Sequence, residues 1–166
     1  MKKLRSVTRK LCNFLKRNYQ KHFSLISEVP DKKNLLHGDY HTNNLMVTEE
    51  ETLLIDMDTL CYGDPVFEFG SVYNAYQGFS DIDHHQIETF LGFTYSEGRR
   101  VFLETLQNYY GTKDSAFLLK KEKQAKLVGY TRLLRRSIKR NTGEENIAFY
   151  KAELLTLLTE VDSLID

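Results

Sequence analysis

Only one short stretch of this chain has the period of a β-strand. Leu45, Val47, Leu53 and Ile55 alternate around the polar run Thr48-Glu49-Glu50-Glu51-Thr52, which reads as a two-stranded hairpin. On both sides the apolar residues instead return every three or four positions, the repeat of a helix that buries one face. Leu4, Val7, Leu11, Phe14, Leu15, Tyr19, His22, Phe23 and Ile26 keep that spacing until Pro30 ends it, and basic residues fill the other face. Asp64-Pro65 supplies an N-cap and a first-turn proline for a helix through about Tyr76. Further helices are expected from Asp83 to Phe93, from Glu97 to Tyr109 and from Asp114 to Arg140. Thr142-Gly143-Glu144-Glu145 has the pattern of a capping box and opens a last helix through Ile165. The fold class expected is α+β, predominantly α-helical, with helices around a short β-hairpin.

The 166 residues suffice for one domain with a core of its own, and 41% apolar with 28% charged residues is a globular composition rather than a disordered one. No apolar run approaches the roughly 20 residues that a membrane span needs. The basic start is no signal peptide, because Arg9, Lys10, Lys16 and Arg17 interrupt any apolar segment. Cys12 and Cys61 give neither a disulfide framework nor zinc spacing, so a cytoplasmic setting is expected. No membrane partner is expected, and no nucleic acid either, since the basic face lacks aromatic interleaving or a known motif.

The balance of 23 basic and 23 acidic side chains hides blocks. Residues 1–27 carry eight bases and no acid, 39–104 a net charge of −11, 110–141 a net +8 and 142–166 a net −5. The bland account is mutual neutralisation in the fold. The sharper one is that the acidic middle faces a cation, either a metal or a positively charged substrate.

The chemistry-bearing residues flank the hairpin. Residues 37–44 read His37-Gly38-Asp39-Tyr40-His41-Thr42-Asn43-Asn44. Phosphoryl transfer needs an aspartate to orient the attacking hydroxyl and accept its proton, and an oxygen ligand a few residues on to hold Mg²⁺. Asp39 and Asn44, five residues apart, have the spacing of a kinase catalytic loop. Asp56, seventeen residues after Asp39 at the end of the next strand, supplies a carboxylate for the same hard cation. Four fixed identities recur by chance about once in a thousand chains of this length.

His37-Gly-Asp39-x-His41-x-x-Asn44, then Ile55-Asp56-x-Asp58 and Gly63-Asp64-Pro65-x-x-Glu68, resembles the aminoglycoside phosphotransferase and choline kinase group of small-molecule kinases. The resemblance implies a protein-kinase-like fold, here its carboxy-terminal lobe, with ATP as phosphoryl donor and a small-molecule hydroxyl as acceptor. It implies Asp39 as catalytic base and His37, Asn44 and Asp56 as the cofactor-binding set. Asn44 and Asp56 are the implied Mg²⁺ ligands, Asp58 is a candidate further carboxylate for the metal, and His37 braces the loop. Asp64 anchors the helix that follows, and Glu68 stands where the family usually has aspartate. On this basis 1–166 is a single domain: a leading helix over 1–28, the catalytic loop and metal-binding hairpin over 37–58, and a helical subdomain over 65–166.

The family's sheet-rich amino-terminal lobe is expected to be absent, since only 36 residues, read as one helix, precede His37 and no G-x-G occurs. A catalytically inactive kinase-like binding module therefore stands as the alternative. It would act as a homodimer, or with a partner supplying the missing lobe, through an apolar face. The acidic stretch points to a cationic acceptor such as an amino sugar or amino alcohol.

Three other constellations have plainer explanations. Asp83-His84-His85 matches the letters of DHH phosphoesterases, but it opens a helical pattern, so an N-cap with two surface histidines is expected. His37, Asp39 and His41 suit a transition metal less well than the oxygen set suits Mg²⁺. Arg132, Arg135, Arg136, Lys139 and Arg140 form either a phosphate or partner site or, preferred, a solvated face paired with the acidic segments.

Overall fold

A computed structural model describes residues 20–165. The order is α1 (helical over 20–27), β1 (Asn34–Leu36), β2 (Leu45–Val47), β3 (Thr52–Leu54), β4 (Cys61–Gly63), α2 (Pro65–Tyr73), α3 (His85–Leu91), α4 (Tyr95–Tyr110), α5 (Ser115–Arg140) and α6 (Glu144–Glu160). Short 3₁₀ turns occupy Thr42–Asn44 and Met57–Thr59, and a π-helical turn, Asn74–Gly78, extends α2. Most of the expected leading helix lies outside the described residues. What is described is mostly helical with small antiparallel sheets, the α+β class that the periodicity implies.

The hairpin is present, with Leu45 opposite Leu54 and Val47 opposite Thr52. A second two-stranded sheet was not foreseen: β1 pairs antiparallel with β4, Asn34 opposite Gly63 and Leu36 opposite Cys61. Three-residue strands are too short to show a period of two, so pairing rather than pattern defines them. Their outer side is apolar and open. Val47 is 73% and Tyr62 74% exposed, and Leu35, Met46 and Leu53 are exposed too.

Helix ends follow side-chain chemistry. Asp64 caps α2 by accepting from Val66 N, ahead of Pro65, and its other oxygen pairs with Lys32 Nζ at 2.7 Å. Thr94 and Glu97 form a reciprocal capping box on α4, which begins two residues earlier than the sequence pattern suggests. Asp114 caps α5, and Asp83 accepts from His85 N at 3.1 Å ahead of α3. The capping box expected at Thr142 is not formed. Gly143 is the N-cap of α6, with no side-chain hydrogen bond and φ 111°, and the helix stops at Glu160 rather than Ile165.

The core is the packing of α2 and its π turn, α4 and α6 onto the long α5. Gly70 and Gly129 let α2 and α5 approach closely: a Cβ on Gly70 would lie 2.5 Å from Val128 Cγ1, and one on Gly129 would lie 3.0 Å from Gly70 O. Phe102, Leu106, Leu127, Leu134 and Leu154 are fully buried around that seam. α1 leans on α5, where the Thr131 hydroxyl donates to Leu127 O and accepts from His22 Nε2 at 3.0 Å.

One polar knot sits inside this core. Asp81, just past the π turn, accepts 2.6 Å hydrogen bonds from three hydroxyls: Tyr73 of α2 and Tyr130 of α5 on Oδ2, and Tyr95 of α4 on Oδ1. Three helices are thereby tied to one carboxylate. Burial, then the adjacent Asp81 charge, pushes the Tyr73 and Tyr130 phenols far above their ordinary range.

Candidate active site

The loop that follows β1 is held from almost every side. Gly38 has φ 81°, and a Cβ there would meet Thr59 O at 3.0 Å, so both backbone conformation and space call for glycine. Its N–H donates to Glu68 Oε2 at 2.8 Å, and its carbonyl accepts from Ser71 Oγ at 2.6 Å, both on α2. His37 Nδ1 accepts from the Asp39 N–H at 3.3 Å, which leaves the proton on Nε2 to donate to Ile55 O at 2.9 Å. Both ring nitrogens face backbone, so His37 is a brace between the loop and the end of β3. Asn44 Nδ2 donates to Asp39 O at 2.9 Å, and Ile55 N donates to Asn44 O at 2.9 Å. Tyr76 of the π turn accepts from Thr42 N at 3.1 Å. Burial raises the Tyr76 phenol pKa, and the hydrogen bonds from Thr42 partly oppose this.

These bonds fix what the loop presents. The Asp39 side chain is 54% exposed, with His41 Nε2 3.8 Å from its Oδ2, beyond hydrogen-bond reach. His41 is buried with its ring edge-on to Phe90, and its Nδ1 has no partner. Asn44 is buried, and with Nδ2 engaged its Oδ1 is left to accept. Asp56 adopts the left-handed conformation, φ 60°, directly after Ile55, whose N–H and carbonyl are held by Asn44 and His37. The loop and the strand end are thus stitched together on either side of Asn44 and Asp56. Asp58 is exposed on the next turn. Among the described residues no three His, Cys, Asp or Glu side chains gather as a metal cluster. The donors here are an amide and carboxylates, a set for a hard oxygen-seeking cation.

Beside Asp39 opens a cavity of about 480 Å³ between the loop, the π turn and α5. Its wall includes Asp39, His41, Phe79, Ser80, Arg132 and Arg136, and neither Asn44 nor Asp56. Arg136 lies over the Phe79 ring at 4.7 Å, and Arg132 reaches Gly38 O at 3.5 Å. Burial and the neighbouring Arg140 hold the Arg136 guanidinium below its usual pKa.

The loop partners Glu68, Ser71, Thr59 and Tyr76 were not evident from spacing, apart from the place of Glu68 in the Gly63–Glu68 motif. All five members of the basic cluster are exposed, as a solvated face requires, but among the described residues none forms an ion pair with an acid, and Arg132 and Arg136 line the cavity. The DHH letters do lie where a helix opens, with His84 stacked on Tyr95 and His85 beside Glu88.

The model of the phosphotransferase enzyme family APH matches residues 15–102, just over half the chain. The chain belongs to that family. No curated protein and no solved structure matches it. No helix among the described residues is long and apolar enough to cross a membrane.

Proposed function

We propose that this protein is an ATP-dependent phosphotransferase with a protein-kinase-like carboxy-terminal lobe, acting on the hydroxyl of a small molecule in the cytoplasm. The observation that carries the reading is the stitched loop. Asp39 is held by its own N–H and carbonyl, through His37 and Asn44, while its carboxylate stays free at the cavity mouth. Positioning of this kind supplies much of what phosphoryl transfer asks of a protein.

In this reading the acceptor enters the cavity and its hydroxyl donates to Asp39, which orients the oxygen and takes the proton as the bond to the γ-phosphorus forms and the bond from that phosphorus to the bridging oxygen breaks, releasing ADP. Asn44 Oδ1 and Asp56 are the residues that would hold Mg²⁺, with Asp58 as a further carboxylate. The ion, when bound, neutralises phosphate charge. Asn44 would serve twice, its amide nitrogen fixing the loop through Asp39 O and its oxygen being the atom that would hold the ion.

The test is ADP release from Mg·ATP with a panel of hydroxyl acceptors. Acceptor-dependent turnover is expected in the wild type, with a loss of about 10²-fold or more in Asp39→Asn, the scale of a lost general base. Turnover unchanged by Asp39→Asn would overturn the assignment. Nucleotide binding with no turnover for any acceptor would instead favour the inactive binding module.

A further inference from the structure

Given the phosphotransferase reading, on which this rests, the cavity wall bears on the acceptor's charge. The acidic stretch 39–104 suggested a cation. The folded chain sends most of those acids elsewhere: Glu49, Glu50 and Glu51 sit at the exposed hairpin tip, Asp64 caps α2 and Asp81 is tied up by tyrosines. Asp39 alone among them reaches the cavity, opposite two guanidiniums one helical turn apart on α5. Neither arginine forms an ion pair with a carboxylate among the described residues, and outside them the one acidic side chain is Asp166.

Both guanidiniums are exposed along this wall, and the one carboxylate charge that acts on Arg136 from across the cavity is Asp39, so a single acid faces two cations and an anion completes the balance. Two neutral polar atoms behind this wall are buried and unpartnered. Ser80, 1% exposed, has a hydroxyl with no partner, and so has His41 Nδ1; both line the same cavity. Arg136 Cζ lies over the Phe79 ring at 4.7 Å, and a guanidinium offers a fork of N–H groups suited to two oxygens. Because Asn44 and Asp56 are not part of this wall, the anion bound here is not a nucleotide phosphate at the proposed metal site.

We infer that the acceptor carries an anionic oxygen group, carboxylate or phosphate, which Arg132 and Arg136 grip with Ser80 while its hydroxyl is delivered to Asp39. Arg132 and Arg136 then determine specificity, and a quaternary or primary amine in the same place is disfavoured by like charge.

The test is equilibrium binding to the full chain, without nucleotide, of glycerol 2-phosphate, 4-hydroxybutyrate, inorganic phosphate, choline and ethanolamine. At least one of the first two is expected to bind with Kd at or below about 1 mM, weakening as salt rises, while choline and ethanolamine do not bind. The glycerol 2-phosphate and 4-hydroxybutyrate arms tell a phosphate site from a carboxylate site, and inorganic phosphate shows whether the anion alone suffices. Arg132→Gln and Arg136→Gln should each weaken the bound anion about tenfold or more, with an unchanged circular dichroism spectrum, whereas Arg135→Gln, outside the cavity, should not. Should Arg136→Gln unfold through loss of the Phe79 contact, Arg132→Gln alone decides. The inference is overturned if neither hydroxylated anion binds at about 10 mM, if choline or ethanolamine binds more tightly, or if the arginine variants bind as the wild type does. The readout is independent of catalysis. Turnover of cationic acceptors without anion binding would remove this inference and leave the phosphotransferase standing, and anion binding without any ADP release would do the reverse.

Discussion

Asp81→Ala is the substitution whose cost follows most directly from geometry. It deletes the acceptor shared by Tyr73, Tyr95 and Tyr130. The Tyr73 and Tyr130 oxygens lie 3.0 Å apart, so one of them donates to the other after the change. That leaves one buried hydroxyl without an acceptor, while Tyr95, nearer the surface, turns to water. An unsatisfied buried donor costs about 1–3 kcal/mol, and the hydrogen bonds lost to a charged acceptor add a comparable amount, giving about 3–5 kcal/mol in total. Asp81→Asn should cost less, about 1–2 kcal/mol, because its amide oxygen can still face Tyr73 and Tyr130 while its NH₂ faces Tyr95.

Urea unfolding followed by circular dichroism at neutral pH measures both. With a slope of about 2 kcal/mol/M, the Ala variant should lose roughly 2 M in midpoint without a change in slope. The sign of the alkaline limb is also fixed. The Tyr73 and Tyr130 phenols are raised in the folded state, so folding binds protons above the unfolded phenol pKa of about 10. Their contribution is complete below that pH and is lost as pH climbs towards the folded values; Asp81→Asn should make the decline shallower. A loss below about 1 kcal/mol for Asp81→Ala, or equal losses for Ala and Asn, would refute the reasoning.

Gly98→Ala places a methyl group against Ile87 Cδ1 and 2.5 Å from Tyr76 O, both in packed surroundings. Overpacking of about 1–3 kcal/mol should lower Tm by about 3–10 °C, and a variant melting like the wild type would show that the site yields freely. In the α4 capping box, hydrogen bonds from the Thr94 backbone and side chain hold the Glu97 carboxyl below its usual pKa, so its contribution is present above about pH 4.3 and is lost as pH falls through the folded value. Thr94→Ala should melt about 2–4 °C lower near pH 6, the gap narrowing near pH 3; a gap independent of pH would refute this account.

Much of this was legible in the primary structure, for identifiable reasons. The hairpin announces itself by apolar residues on both sides of a polar run, although its register sets Leu53 opposite Met46 rather than on the face of Leu45 and Val47. Helices α2 and α5 announce themselves by aspartates that cap them within four residues of chain. Thr142 failed as a cap because Gly143, with its free φ, took the position instead. The loop over 37–44 was readable because Asp39 and Asn44 are bound to one another across a short bend, so spacing encodes contact. What spacing cannot encode is partnership over long separations: Glu68 reaching Gly38, Tyr76 reaching Thr42, and above all Asp81 reaching Tyr130, 49 residues away. The cavity beside Arg132 and Arg136 was hidden for the same reason: their face of α5 is exposed, and it becomes a cavity wall only because the π turn is set beside it.

That π turn has a consequence for numbering. Phe79 N bonds to Asn74 O, a five-residue reach where an ordinary helix uses four, so this segment holds one residue more than a regular helix of the same angular extent. A relative closing the same helix with regular turns would be one position shorter here. Its counterparts of Ser80 and Asp81 would then sit one place earlier, and an ungapped comparison would pair the tyrosine-bound carboxylate with the wrong neighbour.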